Sequence, residues 1–241
     1  MSSRHYFAVA FPRTLCKFEN HTAGCNAIRS AFPAILILHF YFQFSLSMQN
    51  TAIKLIVGLG NPGPKYDSTR HNAGVIFLHH LAKAYGGELR GESKFFGEFG
   101  SITIAGQDVK LLFPTTFMNA SGKSVAAVCN FYKIAPENML VAYDEIDFDV
   151  GITRLKYDGG HGGHNGMRDI ISAIGARNFY RLRIGVGHPG HKSMVANYVL
   201  GDPSKSEAEL IMRDIHESIR VMPKAVAGEW EEAMRLLHTA V

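Results

Sequence analysis

Cysteine is scarce in this chain: Cys16, Cys25 and Cys129 among 241 residues, without the spacing of a zinc site or a disulfide framework. The odd number favours a reducing compartment, hence a cytoplasmic setting. Charge of one sign is nearly missing too. The formal net is +4, and the first 47 residues hold +3 of it, Arg4, Arg13, Lys17 and Arg29 against Glu19. The remainder stands near +1, so any nucleic acid must be met by a local basic patch rather than the overall field. No repeat or low-complexity linker interrupts the chain, which favours one domain, and the length suffices for a substantial core. Several catalytic signatures are absent: no G-x-S-x-G nucleophile elbow, no H-E-x-x-H zinc frame. Asp144, Asp147 and Asp149 are too irregularly placed for an EF-hand loop.

The apolar run Ala34 to Leu46 is shorter than the roughly 20 residues a membrane span needs. A signal peptide would carry such a run nearer the terminus. Arginine with almost no acid suits a transit peptide. The simpler reading takes residues 1–47 as an N-terminal extension read through from upstream, poorly ordered or loosely attached. Met48, just ahead of the first strand, then opens a domain over 48–241.

From Thr51 onward strand and helix patterns alternate. Strand-like runs cover 53–57, 98–104, 108–113, 138–143, 152–157, 180–187 and 195–200. Helical periods cover about 72–85, 120–132, 165–174, 205–222 and 226–238. Ser204 to Glu207 reads as a capping box, and Ile211, Ile215, Ile219 and Met222 form one apolar stripe behind it. The pair 98–104 and 108–113, turning around Ala105-Gly106-Gln107, adds an antiparallel portion. The pattern predicts an α/β fold: a single domain with a mixed, mostly parallel twisted sheet flanked by helices.

Gly58-Leu59-Gly60-Asn61-Pro62-Gly63 has the G-x-G-x-x-G spacing of a dinucleotide loop. In such a loop the third glycine already lies in a helix whose free N–H groups hold the pyrophosphate. Here Pro64, Lys65, Tyr66 and Asp67 intervene, and the next helical period starts near Asn72. The candidates for a ribose-binding carboxylate, Glu88 and Glu92, lie in a Gly-rich, loop-like stretch. The segment offers instead an amide, Asn61, in a tight turn, and an imidazole, His71, entering a helix.

Ligands of open α/β sheets gather beyond the carboxyl ends of the strands. Asn61, Asn119, Asp144 and Asn165 all fall at such ends, with His71 nearby. Asn and Asp cap helices and form turns more often than they catalyse; their shared rim is the signal. Cys129 lies mid-helix with no flanking base and reads as packing. His161, His164, His188 and His191 are the candidates for a metal site, but they sit in two loops without a ligand frame. What remains is water activated by a histidine with a carboxylate partner. The positive end of a helix dipole at His71 is expected to keep its ring neutral, with Asp144 orienting it. Neutral amides suit an uncharged, N-blocked peptide-like ligand. Arg154 with Lys156, and Arg181 with Arg183, stand two apart on strands, each pair on one face. They form either a solvated face or a phosphate-binding patch.

Leu55 to Gly63, Thr69 to Gly74, Pro114 to Asn119, Ala142 to Asp147, Gly159 to Gly166 and Arg181 to Gly190 together resemble the motifs of bacterial peptidyl-tRNA hydrolase. The similarity runs from about Ile53 to the C-terminus; residues 1–47 have no counterpart. The resemblance implies a peptidyl-tRNA hydrolase-like, phosphorylase/hydrolase-like fold and a monomeric, metal-independent esterase needing no cofactor. Its substrate would be peptidyl-tRNA, engaged at the acceptor stem and 3′ end. It implies His71 as general base, Asp144 as its partner, and Asn61 beside the ester. Asn119 and Asn165 would bind the peptide backbone or the water, with Met118 and His164 shaping the cleft. Tyr66 and Phe117 would touch the tRNA 3′ end, and Lys156 and Arg183 would clamp the terminal phosphate. One position departs from the pattern: Tyr143 stands where a histidine is expected, and a side chain alternating away from Asp144 need not touch substrate. A non-catalytic RNA-binding relative and a nucleotide-dependent oxidoreductase are the alternative readings.

Overall fold

The computed structural model describes residues 52–239; the reading of residues 1–47 lies outside them. Seven strands form one sheet: β1 Leu55–Gly58, β2 Arg90–Glu92, β3 Gly97–Ile104, β4 Gln107–Pro114, β5 Met139–Glu145, β6 Thr153–Tyr157 and β7 Tyr180–Gly185. Their spatial order is β2-β3-β4-β1-β5-β7-β6. The central four, β4-β1-β5-β7, run parallel, and the edges β2–β3–β4 and β7–β6 are antiparallel. The expected mixed sheet is therefore present. Strand β2 was missed because its residues are largely exposed and carry no apolar alternation; pairing with β3 alone defines it. Glu92 thus lies on a sheet edge, whereas Glu88 is in the irregular segment before it, as the loop-like reading expects.

Among the described residues six α-helices flank the sheet: α1 Ala73–Ala84, α2 Ser121–Tyr132, α3 Asn165–Ile174, α4 Val195–Val199, α5 Lys205–Val226 and α6 Trp230–Thr239. On one face α1, α5 and α6 pack Phe77, Leu78, Ile215, Met222 and Trp230 against Ile56, Leu111 and Leu140. On the other, α2 and α3 pack Val125, Val128, Met167 and Ile170 against Leu55, Val57, Leu112 and Val141. The strict alternation along β1 and β5 feeds both cores, as a strand covered on two faces requires.

Three expectations change. The run 195–200, rich in β-branched and aromatic residues, is helix α4; no strand adjoins it, and Val195 and Val199, four apart, share one side. Helix α5 does not stop before Pro223 but continues to Val226, because Met222, Ala225 and Val226 stay buried. A mid-helix proline costs about 3 kcal/mol, which the apolar stripe outweighs. The last helix starts at Trp230, later than expected, after the turn at Gly228.

The predicted hairpin turn is correct: Ala105 and Gly106 both have positive φ, 49° and 76°, and link Ile104 to Gln107. The capping box of Ser204 and Glu207 is also present. No α-helix follows Gly63 directly; two short 3₁₀ turns, Pro64–Tyr66 and Arg70–Asn72, precede α1. The glycines do another job. A Cβ on Gly74 would lie 2.2 Å from the Ala142 carbonyl, and one on Gly58 2.5 Å from the Gly74 carbonyl. They let α1 press against the ends of β1 and β5. Among the described residues no helix is long and apolar enough to cross a membrane.

Candidate active site

Strand β1 has β4 on one side and β5 on the other, so the chain reverses its direction of sheet growth at β1. A crevice opens at such a switch point beyond the strand ends. Asn61, just past β1, is buried and braced twice by Asn72: its N–H donates to Asn72 Oδ1 at 2.8 Å, and Asn72 Nδ2 donates to its carbonyl at 3.0 Å. Asn61 Oδ1 accepts the Met118 N–H at 2.9 Å. That bond fixes which end of the amide accepts, and leaves the Asn61 NH₂ group as a donor to a ligand. Asn72 was not singled out from sequence, although it lies beside His71 in the Thr69–Gly74 motif.

The 3₁₀ turn Arg70–Asn72 carries His71. Its neighbour Arg70 anchors that turn, donating to the carbonyls of Tyr198, Gly201 and Asp202 and pairing with Glu207 at 2.9 Å. His71 Nδ1 donates to Asp144 Oδ1 at 2.8 Å across 73 residues of sequence. A second histidine joins them: His164 Nε2 donates to the same oxygen at 2.9 Å. His164 caps α3, its Nδ1 accepting the Met167 N–H at 3.2 Å. A ring that accepts on one nitrogen and donates from the other is neutral, so His164 is a fixed donor. His71, with Nδ1–H committed to Asp144, keeps Nε2 as the basic atom.

Burial by itself would lower the His71 pKa, but the charge and hydrogen bond of Asp144 together raise it above the ordinary 6.5. The expected lowering by a helix dipole is therefore reversed in direction, since His71 precedes α1 and a carboxylate in contact outweighs a helix end. Burial would push the Asp144 carboxyl up; the two imidazoles instead hold it well below the usual carboxylate range.

These groups line a cleft of about 520 Å³ that also takes in Asn165, Ile146, Val195 and Val199. Met118 lies close to His164: a Cβ on Gly166 would come within 2.5 Å of Met118 Sδ and 3.2 Å of His164 Cε1. Asn119 and Asn165 are both exposed, and Asn165 Oδ1 accepts from Arg168 at 2.9 Å. Phe117 is 63% exposed. Tyr66 is half-buried, with the Lys65 ammonium 4.7 Å above its ring.

The basic strands differ from either sequence reading. Arg154 faces Arg183, and Lys156 faces Arg181, across β6 and β7. Arg181 is buried and spends its guanidinium on the carbonyls of Phe179, Gly159 and Arg177. Arg154 is tied to the His238 carbonyl. Arg183 pairs with the buried Glu145 at 2.8 Å and lies over the Phe148 ring. Lys156 alone of the four is exposed without a carboxylate partner among the described residues. Cys129 is half-buried, and burial pushes its thiol up to about 11, as a packing role requires.

His71, Asp144 and His164 could offer three ligand atoms to a metal, all within 4.8 Å of one another. Two donors on a tetrahedral zinc with bonds of about 2.0–2.1 Å stand roughly 3.3 Å apart. The 2.8 and 2.9 Å separations here are those of N–H···O bonds. The arrangement suits proton transfer: a basic nitrogen on a cleft and a buried anion behind it.

Comparison with known proteins agrees with this geometry. The family model described as peptidyl-tRNA hydrolase matches residues 55–241. A peptidyl-tRNA hydrolase of Pseudomonas aeruginosa is 54% identical over 190 residues, covering 78% of this chain and 98% of that protein. One from Ruthia magnifica is 51% identical over 187 residues, with the same coverage. The crystal structure of peptidyl-tRNA hydrolase from Acinetobacter baumannii superposes with a TM-score of 0.77 at 48% identity, covering 79% of this chain and 96% of that one. The chain belongs to the peptidyl-tRNA hydrolase family.

Proposed function

We propose that this protein hydrolyses the ester joining a peptide, or an N-blocked amino acid, to the 3′ end of tRNA, with His71 as general base and Asp144 as its orienting carboxylate. Hydrolysis of peptidyl-tRNA is the activity of its family. The observation that carries the mechanism is the convergence of two imidazole N–H groups on one Asp144 oxygen at a cleft.

His71 Nε2 takes a proton from water as the water oxygen attacks the ester carbonyl. Asp144 stabilises the imidazolium that forms. The Asn61 NH₂ group donates to the substrate carbonyl, where negative charge develops. The tetrahedral intermediate expels the terminal ribose oxygen, which receives the proton held by His71. The products are a peptide acid and free tRNA. Chains released from ribosomes would be recycled in this way, by a cytoplasmic monomer.

In this reading Asn119 and Asn165 hold the peptide backbone or the water, and Met118 and His164 shape the cleft. Tyr66 and Phe117 meet the tRNA 3′ end, and Lys156 and Arg183 meet the phosphate of the acceptor stem. Neutral amides around the ester favour a blocked amine, since none of them balances a free ammonium group.

The test is hydrolysis of N-acetyl-aminoacyl-tRNA by the full chain, with and without EDTA. Turnover unaffected by chelator is expected; its loss would contradict a metal-free mechanism. His71→Ala should lower kcat by roughly 10²–10⁴-fold with tRNA affinity nearly unchanged. Full activity in that variant removes the base assignment. An inert wild-type protein that still binds tRNA would mark the non-catalytic relative.

A further inference from the structure

Tyr143 lies one residue before Asp144 on β5, so its side chain leaves the opposite face of the sheet. It is buried in the second core with Met167, Ile170 and Phe179. The loop 159–164 nevertheless folds over the end of β5 and brings His164 within reach of both faces. His164 touches Asp144 through Nε2, and the Tyr143 ring stands edge-on to it, ring centres 5.0 Å apart and planes at 68°. The Tyr143 hydroxyl meets Arg183, its direct partner across β5 and β7. The charged groups around the ring are Glu145 on its own strand and Arg181 and Arg183 on β7; none of them contacts His164.

Besides the Tyr143 edge, His164 is held at its two nitrogens and has the His71 ring beside it, ring centres 5.0 Å apart and planes at 48°. Its Nδ1 rests on the first turn of α3 and its Nε2–H on Asp144. Two bonds to opposite ring edges leave the ring free to pivot about the line joining them. The His71 ring is itself tied to Asp144. The Tyr143 edge, anchored in the core, is therefore the contact that limits that pivot from outside the hydrogen-bonded group, in a geometry where it contributes beyond simple burial.

We propose that Tyr143 is a positioning residue for the reaction: its ring fixes the plane of His164, which keeps an N–H on Asp144 Oδ1 and so sets how strongly that carboxylate holds His71. This rests on the hydrolytic reading of the site. An N–H from His164 draws on the oxygen that also accepts from His71. When the His164 ring turns away, Asp144 becomes the stronger partner of the His71 imidazolium, and the base is harder to deprotonate.

The experiment measures kcat, KM and the pH profile of kcat/KM on N-acetyl-aminoacyl-tRNA for four proteins besides the wild type. They are Tyr143→Leu, Tyr143→Phe, His164→Ala and the double variant Tyr143→Leu/His164→Ala. Tyr143→Leu keeps apolar bulk but loses the ring edge. Its kcat should fall about tenfold with KM within twofold, and the acid limb of its profile should move to higher pH. Tyr143→Phe should restore both. In the His164→Ala background the Tyr143→Leu change should add almost nothing, because its route to Asp144 is gone. Melting temperatures of all variants separate this role from core filling, which would lower stability in either background and leave the acid limb in place. The inference is overturned by any of three results: an acid limb that stays or falls in Tyr143→Leu, a Tyr143→Phe variant as impaired as Tyr143→Leu, or an undiminished effect of Tyr143→Leu without His164. A wild-type protein that fails to hydrolyse the substrate would remove the hydrolytic reading itself, a result distinct from these three.

Discussion

The proton-transfer apparatus is small enough to be argued atom by atom. Two opposing influences act on His71, burial and the Asp144 anion, and the anion prevails, raising the imidazole pKa. A base works only when neutral, so kcat/KM should rise with pH through a value above the ordinary 6.5. Asp144→Asn removes the anion and leaves burial unopposed. Turnover should fall by roughly 10²-fold or more, and the residual activity should titrate below 6.5, a shift visible in the pH profile. Stability follows the opposite trend. A raised His71 pKa stabilises the fold below its unfolded value, and that stabilisation is lost as pH rises through the folded one. A lowered Asp144 pKa stabilises above the unfolded value, lost as pH falls through the folded one. With unfolded values of about 3.9 and 6.5, the melting-temperature gap between wild type and Asp144→Asn should be widest near pH 5. It should narrow toward pH 8.

Secondary-structure elements place these residues through contacts that tolerate no added atom. Gly74 illustrates this. Its α-carbon faces the Ala142 carbonyl so closely that a methyl group would sit 2.2 Å from that oxygen. Because the obstacle is backbone, α1 must lift, and the His71 turn before it with it. Gly74→Ala should cost about 1–3 kcal/mol or more and reduce turnover, measured by denaturant melts and initial rates. Gly160→Ala, where a methyl would meet open space, should stay within about 0.5 kcal/mol. The glycine-rich motif thus serves helix–strand packing and not a pyrophosphate. Elements with strong periodicity or caps were legible: α3 and the α5 start are found where expected. Helix α4 was not, since five residues of Val, Ala, Asn, Tyr and Val satisfy a strand pattern equally well. Only a missing sheet neighbour and the Tyr198–Arg70 stacking at 4.2 Å select the helix.

Across the whole molecule, a near-neutral protein must meet a polyanion at few points. Lys156 is exposed, whereas Arg183 is already balanced by Glu145. Lys156→Ala should therefore reduce the salt slope of tRNA binding by about one. Glu145→Gln should steepen it, by freeing the Arg183 charge, as read by binding titrations across ionic strengths. Arg183→Ala is a poorer probe, because it strands a buried carboxylate at a cost of about 3–5 kcal/mol. Residue types and their order were sufficient to bring His71, Asp144 and Asn165 to one cleft, since the alternation of strand and helix puts strand ends together. Asn61 and Asn119, expected on the same rim, are not among the residues lining the cleft. Residue order also sufficed to set aside the dinucleotide reading, because no helix could begin at Gly63. Tertiary structure alone decided that His71 and Asp144 share a hydrogen bond, that His164 joins them, and that Asn72 braces Asn61. It alone showed Arg181 turned inward, and reversed the expected direction of the His71 pKa. The reason is physical. Periodicity reports which face a side chain takes, but hydrogen bonds and charge interactions depend on separations of a few ångströms and on exclusion of water, and both are set only once distant segments have packed.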